Sequence, residues 1–209
     1  MTKTIKAYWR GKAWDLPVWD TQRKKVYEAE RAAFVGPAAG ESYGWGCLYR
    51  DGDLGEIRKL VKKITASATW KKLLADAGTR SVTIEIADGR GTRAARGGHG
   101  FLNLPRWART LPVILHELAH VSAPWAGHHW PFAAAYLTLV ARFLGAAERD
   151  ALKAAFKAHR VRFTPPRQIS PERLAQLRAL GTRLAAARRM TPSPLPPAAP
   201  GSETGGGTA

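Results

Sequence analysis

The 209-residue sequence predicts an α+β fold, a small and mainly antiparallel sheet packed on several helices. Two observations carry this. Residues 81–89, SVTIEIADG, alternate Val82, Ile84 and Ile86 with Thr83, Glu85 and Ala87, the period of a half-buried strand rich in β-branched residues. On both sides lie runs whose apolar residues recur every three or four positions, the period of helices with one buried face. At 45% hydrophobic residues the chain can bury a substantial core, and one domain with appended segments is expected.

The first helix is expected from Asp20 in DTQRKKVYEAERAAF, where Asp20 or Thr21 can cap it and Val26, Ala29, Ala33 and Phe34 form the apolar stripe. Gly36-Pro37 ends it, and residues 35–55 read as a glycine-rich, aromatic loop. A second helix capped near Asp53 carries Leu54, Ile57, Leu60, Val61 and Ile64 on one stripe, which can continue to Trp70, Leu73 and Leu74. After the strand at 82–87, a turn leads to a second short strand at 100–104 that Pro105 closes. Residues 111–121 read as a helix with Thr110 as N-cap and Pro112 in the first turn, where its missing N–H is harmless. Pro131 suits the first turn of the next, nearly all-apolar helix. A short helix follows at 148–159 and a last amphipathic one at 171–190, with Leu174, Leu177, Leu180 and Leu184 on one stripe. The final TPSPLPPAAPGSETGGGTA has no periodicity and reads as a disordered tail.

These elements divide the chain into an N-terminal extension at 1–19, a domain at 20–160, a basic C-terminal helical extension at 161–190 and the tail at 191–209. Cys47 is the single cysteine, so no intrachain disulfide can form. The N-terminal stretch has no continuous apolar run, and no segment approaches the roughly 20 apolar residues of a membrane span. A cytoplasmic protein without membrane contact is expected. Lys and Arg number 33 against 16 Asp and Glu, a net charge of +17 that concentrates polyanions and makes nucleic acid a candidate partner. Ten of these basic residues fall between Asp150 and Met190, and Arg90, Arg93, Arg96, Arg106 and Arg109 precede the helix at 111. A solvated basic surface is the alternative.

Four of the six histidines lie within LPVILHELAHVSAPWAGHHWPF at 111–132. Positions i and i+4 of a helix share a face, so His116 and His120 can converge on one ion. Glu117 points about a third of a turn away, poorly placed as a ligand but well placed to take a proton from an attacking water and return it to a leaving group. This H-E-x-x-H arrangement describes a zincin-like site, with one Zn2+ per chain as cofactor and Glu117 as catalytic base. A catalytic zinc usually takes three protein ligands and keeps one position open. His128, His129, Glu148 and Asp150 all compete for the third place. The metzincin pattern would need a glycine at 123 and a histidine at 126; Ala123 and Ala126 exclude it.

HELAH followed by a short loop and HHWPF resembles the active-site segment of SprT-like zincin metallopeptidases, in which a separate H-G-x-x-F element opens the next helix. DTQRKKVYEAE, LPRWART and ILHELAH together resemble a narrower family of actinobacterial and phage metallohydrolases, over residues 20–160. By that resemblance His116 and His120 are the helix ligands, Glu117 the acid/base, His128 the third ligand and Phe132 a core aromatic. His129 departs from the pattern, standing where the family has glycine, and is a competing ligand one residue away. The resemblance further assigns substrate pairing to the strand at 100–104, with His99 at its start as a candidate substrate or oxyanion contact. Tyr136 is a second candidate for the oxyanion, with a place in the core as its alternative. Trp107, Trp125 and Trp130 flank the site and can wall it from water. Cys47 reads as a packing or loop residue.

The expected function is zinc-dependent hydrolysis of amide bonds in a protein or peptide substrate. The rival keeps the fold and makes nucleic-acid association primary: a DNA-associated SprT-like protein whose metal site acts on DNA-bound protein or is only structural.

Overall fold

The computed structural model describes residues 3–34, 53–81, 83–167 and 170–190, so the 35–52 part of the glycine-rich loop with Cys47, Val82 and the 191–209 tail lie outside the described residues. The chain divides into two units, Met1–Pro165 and Pro166–Ala209. In chain order the elements are β1 (Thr4–Trp9), β2 (Lys12–Pro17), α1 (Arg23–Phe34), α2 (Leu54–Ala66), α3 (Ala68–Ala77), β3 (Glu85–Asp88), β4 (Arg96–Gly98), β5 (Phe101–Leu104), α4 (Leu111–Ser122), α5 (Trp130–Phe143), α6 (Ala146–Ala158) and α7 (Pro171–Met190). The fold is α+β, with one antiparallel and one mixed sheet.

The segment set apart as an N-terminal extension forms a hairpin. Arg10 (φ +51°) and Gly11 (φ +71°) are both left-handed, the conformation of the two-residue turn that matches strand twist. An Arg-Gly pair is a weaker hairpin signal than Asn-Gly, and the strands are short, so the pattern escapes notice in the sequence. Ala7, Trp9 and Leu16 are buried, and Trp9 and Trp14 meet Trp130 edge-on at centroid distances of 5.8 and 5.2 Å. The hairpin therefore packs on the first residue of α5.

Asp20 does cap α1: its Oδ1 accepts from Gln22 N and Arg23 N at 3.3 and 3.0 Å. The long stripe from Leu54 to Leu74 is divided at Ser67, whose hydroxyl donates to Ile64 O (2.6 Å) and accepts from Trp70 N (3.1 Å), closing α2 and opening α3. The apolar face continues across the break, with Ile57, Val61, Ile64, Trp70, Leu73 and Leu74 all buried.

Strand β5 is central in the second sheet, antiparallel to β4 and parallel to β3. Two of the three strand pairs among the described residues are antiparallel, as a mainly antiparallel arrangement requires, and β3–β5 is the parallel exception. It arises because the chain leaves β3, crosses the end of β5 and returns as β4. Gly89 makes the crossing possible, since a side chain there would strike Pro105 N and the Asn103 side chain. Arg109 ties the crossing down, donating to Leu104 O (3.1 Å) and to Asp88 Oδ1 (2.6 Å) while only 7% exposed. It is thus a structural cation, not part of an exposed basic face.

Helix α4 packs against α5 on one side and against β4 and β5 on the other, and α5 packs also on α3 and α6, while α1 lies on α6. Thr110 occupies the N-cap position of α4 without a side-chain capping bond, and Pro112 and Pro131 sit in first turns as their missing N–H groups require. In the second unit the Leu177, Leu180 and Leu184 stripe of α7 is exposed. Among the described residues no helix is long and apolar enough to cross a membrane.

Candidate metal centre

Helix α4 presents His116 and His120 one turn apart, and the loop after it delivers His128. Each offers a ring nitrogen, and the three nitrogens lie within 4.8 Å of one another. The ring centroids are 5.0, 5.3 and 4.6 Å apart, and Phe132 stacks on His120 at 4.3 Å beneath them. Phe132 is fully buried, so the cluster has an apolar floor.

The orientation of two rings is set from α1. Glu30 Oε1 lies 2.6 Å from His116 Nδ1, and Asp20 Oδ2 lies 2.5 Å from His128 Nδ1 and 3.1 Å from His128 N. Each Nδ1 is spent on a carboxylate, which leaves Nε2 as the free nitrogen. Gln22 adds a clamp, donating to His128 O (3.0 Å) and exchanging bonds with the backbone of Arg162. Gly127, at φ +50° and with no Cβ to press on Asp20, turns the chain just before His128 and lets it approach the Asp20 carboxylate.

Burial opposes ionisation of Asp20, but the donors on His128 and Gln22 N outweigh it and hold the carboxyl at about 2. His120 is held at about 2 by burial and by the neighbouring His116 and His128, so its lone pair is available. His128 is pushed down by burial despite Asp20. Burial also opposes charging of His116, but Glu30 and then Glu117 overcome it and raise it.

The competing candidates lie elsewhere. His129 Nε2 bonds Pro17 O at 3.1 Å and tethers the hairpin, while its backbone opens α5. Asp150 is exposed on α6 and paired with Arg149; neither it nor Glu148 belongs to the cluster. Tyr136, by contrast, borders the centre from the core: it is fully buried, its ring is edge-on to His116 at 5.5 Å, and its hydroxyl bonds Pro112 O (3.3 Å) and the Glu30 carboxylate. His99 sits exposed in the β4–β5 turn and does not line the cavity described next.

No protein-family model, curated protein or solved structure matches the chain. The site therefore rests on its own geometry.

Glu117, 6% exposed, faces a cavity of about 250 Å3 whose wall also includes His116, Glu30, Tyr27, Trp107 and Val113. Burial raises the Glu117 pKa, against the pull of His116 and of a hydrogen bond from Gly97 N. Gly97 is required for that approach: a Cβ there would collide with the Glu117 carbonyl. Tyr27 stacks on His116 (5.7 Å, 17° between planes) and meets His128 edge-on at 5.2 Å. Trp107 is 54% exposed at the rim, Trp125 is exposed and Trp130 is buried under the hairpin, so only the first borders the cavity.

Asp20 beyond its capping role, Arg23, Tyr27, Glu30 and Gly97 escape the sequence reasoning. A signal for four of them exists. Asp20, Arg23, Tyr27 and Glu30 are spaced three, four and three apart, one helical stripe that borders the apolar one.

A divalent metal fits this donor set. The buried His128 Nε2 has no hydrogen-bond partner, an arrangement that costs about 1–3 kcal/mol unless a ligand takes the lone pair. Three imidazoles, two with carboxylate partners on the far nitrogen, are the donors that suit zinc.

Proposed function

We propose that the chain is a zinc-dependent hydrolase of amide bonds, with His116, His120 and His128 as the metal ligands and Glu117 as general base. The observation that carries the reading is the buried Glu117 carboxylate, which lies one residue after a ligand histidine and borders the same cavity as His116. The resemblance of HELAH and HHWPF to SprT-like zincins supports the same assignment.

When bound, the ion supplies Lewis acidity, making water more acidic and the substrate carbonyl more electrophilic. Glu117 takes the proton released by the attacking water and passes it to the departing amide nitrogen. Its raised pKa suits both halves of that transfer. Gly97 N–H holds the carboxylate in place, so the base does not have to be ordered during the reaction. Asp20 and Glu30 keep His128 and His116 in the tautomer whose Nε2 faces inward.

The test is hydrolysis of a quenched-fluorescence peptide library by the zinc-loaded protein and by Glu117→Gln. The expected loss in the variant is about 100- to 10,000-fold in rate with zinc content unchanged. Equal rates, or no cleavage by the wild type, would contradict the proposal.

A second reading has its own support. Arg173, Arg178 and Arg183 are exposed along α7 and the net charge is +17, features that favour contact with a phosphate backbone. DNA affinity that falls steeply with added salt and is lost when α7 is removed would favour nucleic-acid association as the primary role.

A further inference from the structure

The cavity beside Glu117 has more in its wall than hydrolysis of an unmodified amide requires. Arg23 comes to it from α1 and Arg93 from the segment between β3 and β4. Both side chains are exposed, and neither forms an ion pair among the described residues. Arg23 leans over the Tyr27 ring, with its guanidinium carbon 5.8 Å from the centroid, and its side chain hydrogen-bonds that of Tyr27, which steadies it at the rim. The two carboxylates of the wall, Glu30 and Glu117, hydrogen-bond His116 Nδ1 and Gly97 N–H, and neither forms an ion pair with Arg23 or Arg93 among the described residues. Two arginines that are not ion-paired with either carboxylate therefore line the cavity.

The remaining wall is apolar or aromatic: Ala94, Ala95, Val113 and Trp107. A volume of about 250 Å3 lies just under the roughly 300–1,000 Å3 of small-molecule sites, room for a residue-sized group and not for a long segment. An apolar wall with cationic groups at one side is complementary to a short aliphatic stem that ends in an anion. Planar guanidinium groups bind carboxylates in a two-pronged geometry that also fixes orientation.

We infer that this cavity binds a carboxylate on the residue next to the scissile bond, held by Arg23 and Arg93, so that the substrates are peptides with an acidic side chain or a free chain end at that position. The inference rests on the hydrolase reading for its link to a scissile bond, but the binding itself does not need turnover.

The full-length zinc-loaded Glu117→Gln protein provides the test, by calorimetric titration with three small probes. N-acetylglutamic acid α-amide carries only a side-chain carboxylate, N-acetylalanine only a terminal one, and N-acetylglutamine amide carries neither. One acidic probe should bind roughly tenfold more tightly than the neutral one, the scale of a charge-assisted hydrogen bond. Which acidic probe wins identifies the source of the carboxylate. The gap should close in Arg23→Gln/Arg93→Gln, whose exposed positions leave the core and the zinc content untouched. No gap, a gap that survives the double substitution, or tighter binding of inorganic phosphate than of both acidic probes overturns the inference. A gap without peptide cleavage by the wild type would remove the hydrolase reading and leave the pocket; cleavage without a gap would do the reverse.

Discussion

His116 and His128 each commit Nδ1 to a carboxylate on α1, so the metal site begins one layer outside the histidines. Replacing Glu30 or Asp20 by Ala should weaken zinc binding about 10- to 100-fold, read by competition with a chromophoric chelator. Glu30→Gln should recover part of the loss because it still accepts the hydrogen bond. Asp20 also makes a pH prediction. Its folded-state pKa of about 2 lies below the ordinary 3.8, so the unfolded chain takes up its proton first as pH falls. The stabilisation is about 2 kcal/mol, complete above about pH 4 and lost as pH falls through about 2. Urea unfolding of the wild type and Asp20→Asn in chelator should show a gap that closes with acid; a pH-independent gap would contradict the assignment. His116 argues from the other direction: its raised pKa means zinc must displace a proton from Nε2, so affinity should rise with pH.

At the scale of elements, α4 and α1 together build the site, and the difference between them shows what a sequence displays. The α4 contribution is legible because HExxH puts two proposed ligands and the proposed base on one helix, where spacing alone decides geometry. The α1 contribution hides, because Asp20 satisfies an ordinary capping rule and Glu30 resembles a surface residue until its helix is placed beside α4. The choice between His128 and His129 also needed three dimensions, since these adjacent residues are distinguished only by their distant partners, Asp20 for His128 and Pro17 for His129. Strand β4 was illegible for a simpler reason: Arg-Gly-Gly has no alternation to read, and its glycines serve close contacts, Gly97 with Glu117 of α4 and Gly98 with the Phe101 ring of β5. Gly97→Ala should push β4 from α4 and lower activity with zinc content intact. The hairpin joins the site through Trp130, which is 3% exposed between Trp9, Trp14 and the loop that carries His128. Trp130→Ala should cost about 3–5 kcal/mol by removing that packing, seen as a lowered Tm.

For the whole molecule, every residue of the metal centre and its cavity lies in the Met1–Pro165 unit, while α7 belongs to the other. A chain ending at Pro165 should keep the zinc content of the full chain and lose DNA affinity if α7 supplies it. The excess of basic charge is a property of the whole sequence, yet it is not uniform in use: Arg109 is buried in a structural pair, Arg23 and Arg93 face the cavity, and Arg173, Arg178 and Arg183 face solvent. Charge counting alone cannot separate those three uses, because burial and partners distinguish them. The central claim is that three particular histidines hold one ion, and metal content tests it most directly. Zinc per chain, measured by mass spectrometry after dialysis against a weak chelator, should be close to one in the wild type and in His129→Ala and near zero in His128→Ala. Full zinc in His128→Ala with loss in His129→Ala would contradict it.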